Sequence, residues 1–249
     1  RRTARARFAT TPVFHRDSVL AAGGEPPRAS RLYCADAFTG ELRWSADLQG
    51  ALCAPPGCAA GVVLAVCRDL GSPALRALSI ETGEILWKKS VPGLAEGFAA
   101  MAVDDAFVFN TAGGEIFRLD AKTGKEEFRT RLSHPRKNNV PRKLEPVLRG
   151  GALFVPSGGV FVVRAGTGEL VGSPIELDGS IDAGYVPELA DAPDADGVLV
   201  VWHRREAGGA SFRSRFVAGD GMPAVDTAIV TDTLGSYDAS SLAYGPISG

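Results

Sequence analysis

The stretch RLYCADAFTGELRW, residues 31–44, contains the pattern that decides the fold. Its outline returns as ALRALSIETGEILW at 74–87, as EIFRLDAKTGKEEF at 115–128 and, more weakly, as GVFVVRAGTGELVG at 159–172. In every copy, apolar residues recur at fixed positions before a Thr-Gly pair. The segments lack the 3.6-residue spacing of apolar residues that an amphipathic helix requires. Short apolar runs separated by glycine-containing turns instead predict β-strands.

The Thr-Gly pairs follow one another at steps of 43, 41 and 44 residues, and an aromatic residue stands five positions after the threonine in the first three copies. The positions that define the structural repeat are Thr39, Gly40, Trp44, Thr82, Gly83, Trp87, Thr123, Gly124, Phe128, Thr167 and Gly168. A period of about 40–45 residues with four strands in each unit is typical of propeller blades. We therefore predict an all-β fold, a β-propeller of four-stranded antiparallel blades.

About five repeats can be recognised, the fifth being degraded. Their expected bounds are 8–48, 51–91, 97–132, 140–177 and 181–218, which together span 8–218. Residues 1–7 are expected to form a basic N-terminal arm. Residues 219–249 are expected to supply either a partial blade or the segment that closes a ring.

The Thr-Gly turn and the aromatic residue each have a structural interpretation. Asp36, three positions before Thr39, and Asp120 in the third copy are expected to accept hydrogen bonds from the backbone amides that follow, while the glycine takes a positive φ. The aromatic residue on the return strand is expected to pack between neighbouring sheets. Trp44 and Trp87 are thus predicted to be structural pins rather than ligand-stacking surfaces.

Composition and charge exclude several classes of partner. The formal net charge of -2 produces no field that favours nucleic acid or an anionic membrane. The longest apolar runs, 61–66 and 197–202, are too short to cross a bilayer, although a membrane-associated assembly stays compatible with the chain. The opening RRTARAR carries four arginines, which predict a solvated terminus, the remnant of a targeting segment, or a basic arm that contacts a partner.

Patterns that would indicate catalysis or metal binding are missing from the sequence. The three histidines are scattered and no CxxC occurs, so a zinc site is not expected. Cys53 and Cys58 have the spacing of a small disulfide loop, and the sequence leaves their pairing open. The acidic stretch 188–197 does not have the spacing of a standard calcium loop. We therefore predict no catalytic, cofactor-binding or metal-binding residue.

The string D-A-x-T-G-x-x-x-W, present as ADAFTGELRW at 35–44 and nearly as LDAKTGKEEF at 119–128, resembles the repeat of the PQQ-like β-propeller family. This family includes quinoprotein alcohol dehydrogenases, the outer-membrane assembly lipoprotein BamB, and propeller domains attached to kinases. The likeness covers about residues 8–218. It implies either part of a larger ring, of about seven or eight blades, or a smaller ring closed by a degenerate blade.

A quinone-dependent dehydrogenase is the disfavoured interpretation. The resemblance implies that such an enzyme holds its cofactor against a disulfide of adjacent cysteines, above a stacked tryptophan and beside a calcium ion bound by Glu, Asn and Asp. No two cysteines are adjacent here, and both Trp44 and Trp87 belong to the repeat. The non-enzymatic branch of the family, without a cofactor, is therefore expected.

The favoured function is a non-catalytic scaffold that presents loops to other protein subunits of a larger assembly. The alternative is a sensor or small-molecule-binding domain of a longer signalling protein. The candidate partner contact is the basic loop 133–143, through Arg136, Lys137, Arg142 and Lys143, with a merely solvated insertion as the alternative. The resemblance implies a periplasmic or other extracytoplasmic location. A chloroplast or mitochondrial location follows instead if residues 1–7 are the end of a transit peptide.

Overall fold

The computed structural model describes the chain at residues 7–8, 11–24, 31–52, 54–69, 72–91, 100–111, 114–132, 146–156, 159–175, 177, 188–191, 197–206, 209–218 and 227–232. All regular secondary structure within these ranges consists of β-strands, so the predicted all-β class is confirmed. No helix with the length and apolar character of a membrane-spanning segment occurs among the described residues.

The first three sheets follow one another along the chain. Sheet 1 has the strand order β1-β3-β4-β5, with β2 also pairing with β3; sheet 2 has the order β10-β9-β8-β6, with β7 also pairing with β8; sheet 3 runs from β11 to β14 in order. The strands are β1 (Arg7–Phe8), β2 (Val13–His15), β3 (Ser18–Gly24), β4 (Arg31–Asp36), β5 (Leu42–Asp47), β6 (Ala51–Leu52), β7 (Gly57–Ala59), β8 (Val62–Asp69), β9 (Ser72–Ser79), β10 (Ile85–Ser90), β11 (Met101–Val103), β12 (Ala106–Asn110), β13 (Glu115–Asp120) and β14 (Glu126–Arg131).

Two further sheets complete the described structure. Sheet 4 has the order β15-β16-β17 and sheet 5 the order β18-β19-β20-β21. Their strands are β15 (Val147–Arg149), β16 (Ala152–Pro156), β17 (Val160–Arg164), β18 (Glu188–Asp191), β19 (Gly197–Glu206), β20 (Gly209–Ala218) and β21 (Thr227–Asp232). The last strand of sheet 5 therefore comes from the segment 219–249.

Among the described residues, sheet 4 has three strands, without the regular fourth strand of the first three sheets. Its outer edge is continued there by isolated bridges, from Val163 to Leu170 and from Val160 to Ile175. Gly172, at φ +69°, lies between these bridges and interrupts the extended conformation. The same residue stands where the first three repeats have an aromatic side chain. Ile175 is buried in the core beside this edge.

The sequence of strand β8 is continuously apolar because both faces of the strand are covered by a core. Val62, Leu64 and Val66 belong to a core shared with sheet 3, whereas Val63 and Ala65 belong to a core shared with sheet 1. Successive side chains of a strand point to opposite faces of its sheet, so a strand covered on both faces needs apolar residues at every position. Strand β8 is thus buried on both faces.

The chain divides into two compact units. The first comprises Arg1–Ala112 and Ile116–Arg129, and the second comprises Gly113–Glu115 and Thr130–Gly249. The two cores that flank sheet 2 lie in the first unit. The second unit has its own core, in which apolar side chains of sheets 4 and 5 pack together.

Candidate functional site

Each Thr-Gly pair lies in a tight turn between the third strand of its sheet and the return segment. The amide of each glycine donates a hydrogen bond to the carbonyl oxygen four residues earlier, at 2.8–2.9 Å. In the first turn the Asp36 carboxylate accepts the amides of Phe38 and Thr39, at 2.9 and 2.8 Å. In the second turn the Ser79 hydroxyl accepts the amide of Thr82 at 3.3 Å. A side-chain oxygen at this position supports the turn in both cases, with or without a charge, whereas the fourth turn has Arg164 there and keeps only the backbone bond of its glycine as a shared feature. The turn glycines and their φ angles are Gly40 (+74°), Gly83 (+74°), Gly124 (+67°) and Gly168 (+77°).

The tryptophans join each sheet to the turn of the next sheet within the first unit. Trp44 Nε1 donates a hydrogen bond to the carbonyl oxygen of Ile80 at 2.8 Å. Its ring covers Gly83 so closely that a Cβ atom there would lie 2.6 Å from Cε3 of the indole. Trp87 Nε1 donates in the same way to the carbonyl oxygen of Ala121, at 2.8 Å. Both indoles are therefore engaged in holding sheets together.

In the second and third repeats a second contact follows two residues after the aromatic position, whereas the first repeat has Ala46 there. Lys89 Nζ donates to the carbonyl oxygen of Gly124 at 3.0 Å. In the third repeat, where the half-buried Phe128 has no ring N–H to donate, the Thr130 hydroxyl donates to the carbonyl oxygen of Gly168. Sequence reasoning missed this position because a lysine and a threonine share no obvious pattern.

The first sheet carries a charged cluster at the same end as its Thr-Gly turn. Arg43 Nη2 lies 2.8 Å from Asp17 Oδ2 and also contacts the Asp36 carboxylate, while Arg43 Nη1 donates to the Ser18 hydroxyl at 2.9 Å. Hydrogen bonds from the Thr39 amide and from Arg43 hold the pKa of Asp36 well below its usual value. The hydrogen bond from Arg43 likewise lowers the pKa of Asp17. Both carboxylates therefore act as anions at neutral pH.

The third sheet has a related charged cluster, in which the arginine lies on the third strand and the return strand carries a glutamate. Arg118 is 6 % exposed. Its Nε lies 2.5 Å from Glu127 Oε2, and its Nη2 lies 3.4 Å from Asp105 Oδ1. Glu127 stands four positions after the repeat threonine, as Arg43 does, and Asp105 precedes the second strand as Asp17 does. In sheet 1 Arg43 joins the return strand directly to the turn before the second strand, whereas in sheet 3 Arg118 of the third strand pairs with both.

Asp36→Asn is predicted to make the free energy of unfolding less dependent on pH in the acidic range. Asparagine keeps an oxygen acceptor for the turn but cannot attract Arg43 as an anion. Because the folded pKa of Asp36 is depressed, its charge stabilises the fold above the unfolded pKa of about 3.9. That contribution is lost as pH falls through the lower folded pKa. The urea concentration at the unfolding midpoint should be higher for the wild type than for the variant at about pH 7. The difference should be smaller at about pH 3. An equal difference at both pH values would contradict the assignment.

A β-bulge precedes each docking tryptophan and exposes apolar side chains. The register shifts by one residue between Leu42 and Trp44, and again between Ile85 and Trp87. A bulge adds an unpaired residue and redirects the side chains beside it. Consequently two successive side chains at the start of each strand face solvent. Leu42, Ile85 and Leu86 are 61 %, 36 % and 49 % exposed.

Further apolar and acidic side chains lie in the same two turns. Phe38 is 86 % exposed, and the three glutamates of these turns are exposed as well. None of these glutamates forms an ion pair within the described part of the chain. Contiguous exposed apolar groups rimmed by polar residues typically mark interaction sites. We call this group the turn surface; it consists of Phe38, Glu41, Leu42, Glu81, Glu84, Ile85 and Leu86.

The predicted partner loop, with Arg136, Lys137, Arg142 and Lys143, lies outside the described residues. Its role therefore stays a prediction. The turn surface was not anticipated from the sequence, because exposure of its apolar residues depends on the bulges. The signal that was available was an apolar residue three positions after the repeat threonine, as at Leu42 and Ile85.

Reactive groups are scarce among the residues that the structure describes. Cys34 and Cys58 are free thiols, while Cys53, the suggested disulfide partner of Cys58, is outside the described residues. Burial raises the pKa of Cys58 to about 12, so its thiol is a poor nucleophile at neutral pH. No set of three or more His, Cys, Asp or Glu side chains suited to a metal ion occurs among the residues that the structure describes.

Comparison with known proteins gives one family and several similar folds. The family model described as outer membrane protein assembly factor BamB matches residues 2–211. The crystal structure of BamB from Moraxella catarrhalis is 17% identical, with a TM-score of 0.53, and the match covers 86% of this chain and 71% of that protein. No curated protein matches the chain by sequence.

Enzymes and a designed protein are equally similar in fold. The quinohemoprotein alcohol dehydrogenase ADHIIG from Pseudomonas putida HK5 is 12% identical with a TM-score of 0.57, the match covering 87% of this chain. The computationally designed Ika8 protein is 19% identical with a TM-score of 0.58, the match covering 88% of this chain. The chain spans only 52% and 61% of these two proteins. Structural similarity at such low sequence identity shows a shared fold and does not show a shared activity.

Proposed function

Because the chain belongs to the family of the outer membrane protein assembly factor BamB, we propose that it is a non-catalytic scaffold that holds other proteins within a larger assembly. Its predicted membership of the PQQ-like propellers is confirmed, and with it the β-propeller fold class. Solved structures of similar fold include both an assembly factor and a dehydrogenase, so the fold alone is compatible with either role.

The observation that supports the proposal is that the repeated side chains make structural contacts between and within the sheets. Trp44 and Trp87 donate their indole N–H groups to the turn of the next sheet. Arg43 and Arg118 are engaged in ion pairs inside their own sheets. These groups stabilise a frame whose turns are held in place before any partner arrives. A preformed frame binds partners without the entropic cost of ordering its own backbone.

The residues present do not fit the quinone site that the resemblance implies for dehydrogenases. That site needs adjacent cysteines, and the four cysteines of this chain stand at 34, 53, 58 and 67. It also needs a tryptophan ring that is free to lie against the cofactor. The rings of Trp44 and Trp87 pack against glycines of neighbouring turns, and Trp202 is 3 % exposed in the core of the second unit. This mismatch supports a scaffold.

The scaffold proposal is tested by isolating the chain, with an affinity tag, from the cells that produce it. We expect at least one other protein to co-purify at fixed stoichiometry through size-exclusion chromatography, with the tag alone as the control. Purified protein mixed with pyrroloquinoline quinone, calcium and an alcohol is expected not to reduce an artificial electron acceptor. A monomer without stoichiometric partners, or quinone-dependent reduction of the acceptor, would overturn the proposal.

A further inference from the structure

The juxtaposition of exposed apolar side chains and unpaired glutamates points to a specific class of partner. We propose that the turn surface binds a segment of another protein in which apolar side chains are flanked by lysine or arginine. This inference rests on the proposed scaffold function and names the chemistry by which one partner would be recognised.

The two turns that form the surface are both next to the contact between the Trp44 ring and Gly83. The Trp44 ring packs on Gly83, which brings the return strand of sheet 1 against the turn of sheet 2. Leu42 is two residues before Trp44 and Ile85 is two residues after Gly83, each a distance of about 7 Å along an extended chain. Leu42 and Ile85 therefore both lie near this contact, within the length of one short extended segment.

The charge of the surface selects a basic partner. Residues 36–42 and 80–86 contain four carboxylates and no lysine or arginine. Asp36 is neutralised by Arg43, whereas Glu41, Glu81 and Glu84 form no ion pair among the described residues. Complementary charges around an apolar centre speed association and reject partners of the wrong sign. A partner that carries only apolar groups would leave these glutamates beside a surface that excludes water.

The same charges disfavour other occupants. A second copy bound symmetrically through this surface would place glutamates opposite glutamates. Anionic lipids and the phosphates of nucleic acids would be repelled as well. A basic and apolar protein segment satisfies both components of the surface at once.

The fourth repeat provides a matched control. Glu169 and Leu170 stand two and three positions after Thr167, as Glu41 and Leu42 do after Thr39, and Leu170 is 42 % exposed. That turn carries Arg164 in place of the first turn's aspartate, and Arg164 Nε lies 3.7 Å from Glu169 Oε2, so this glutamate is paired, unlike those of the turn surface.

The test measures fluorescence anisotropy of a labelled peptide of alternating lysine and leucine on addition of the purified chain. Peptides of alternating lysine and serine, and of glutamate and leucine, are the comparison ligands. We expect only the lysine–leucine peptide to bind, and more weakly as salt is added. The double variant Leu42→Ser with Leu86→Ser should raise its Kd about tenfold or more. Glu81→Gln with Glu84→Gln should raise the Kd and flatten the salt dependence. Glu169→Gln with Leu170→Ser should leave binding unchanged.

Absence of binding, equal binding of all three peptides, or an unchanged Kd in the leucine variant would overturn the inference. Circular dichroism and thermal midpoints should match the wild type, since the altered side chains are exposed. The leucine variant is also tagged and isolated as described for the scaffold test. If its stoichiometric partner is retained while the peptide result fails, the partner assignment is wrong and the scaffold stands. If the wild-type chain itself co-purifies with no stoichiometric partner, both the scaffold function and the partner assignment are wrong.

Discussion

Replacing Trp44 with alanine is expected to lower the free energy of unfolding by about 3–5 kcal/mol. The side chain is 8 % exposed and joins sheet 1 to sheet 2 through its ring and its N–H group. Truncation leaves a cavity over Gly83 and removes the hydrogen bond to the carbonyl oxygen of Ile80. Urea unfolding followed by circular dichroism measures the loss.

Two control variants separate the contributions. Trp44→Phe keeps an aromatic ring and removes the N–H group, so it should cost only about 1–3 kcal/mol, mainly from the unsatisfied carbonyl. Phe14→Ala removes an aromatic side chain that is 72 % exposed, and it should change stability by no more than about 0.5 kcal/mol. A loss for Trp44→Ala as small as that for Phe14→Ala would show that the indole does not hold the sheets together.

The fold could be predicted from the sequence because its signals are local. A Thr-Gly pair with apolar residues at fixed distances specifies a strand, a turn and a return strand without information from distant residues. The continuously apolar run of β8, which includes Val63 and Leu64, also indicates a strand covered on both faces. The all-β class and the family followed from these patterns and are confirmed.

The candidate site could not be predicted in the same way, because it depends on register and on pairs distant in sequence. Arg43 and Glu127 share one repeat position with opposite charge, so no residue pattern reveals that both belong to the ion pairs of their sheets. Leu86 is exposed because the bulge at that point breaks the alternation of the strand. The alternation of apolar and polar residues alone would not show which face of the sheet the Leu86 side chain occupies.

Gly83→Ala is expected to be more destabilising than Gly40→Ala, although both glycines have φ of +74° in equivalent turns. At Gly40 no atom lies within 4 Å of an added Cβ, so the variant measures backbone strain alone, about 1–2 kcal/mol. At Gly83 the added Cβ would lie 2.6 Å from the Trp44 ring. Displacing a packed ring typically adds about 1–3 kcal/mol. Urea unfolding of both variants measures the difference.

A double-mutant cycle identifies the source of that difference. In a Trp44→Ala background the added methyl group at Gly83 meets no indole, so its cost should fall to the value measured for Gly40→Ala. The same cycle with Trp87 and Gly124 should behave alike, because a Cβ on Gly124 would lie 2.7 Å from the Trp87 ring. Equal costs for Gly83→Ala with and without Trp44 would mean that strain in the turn, and not the packing of the ring, fixes glycine at this position.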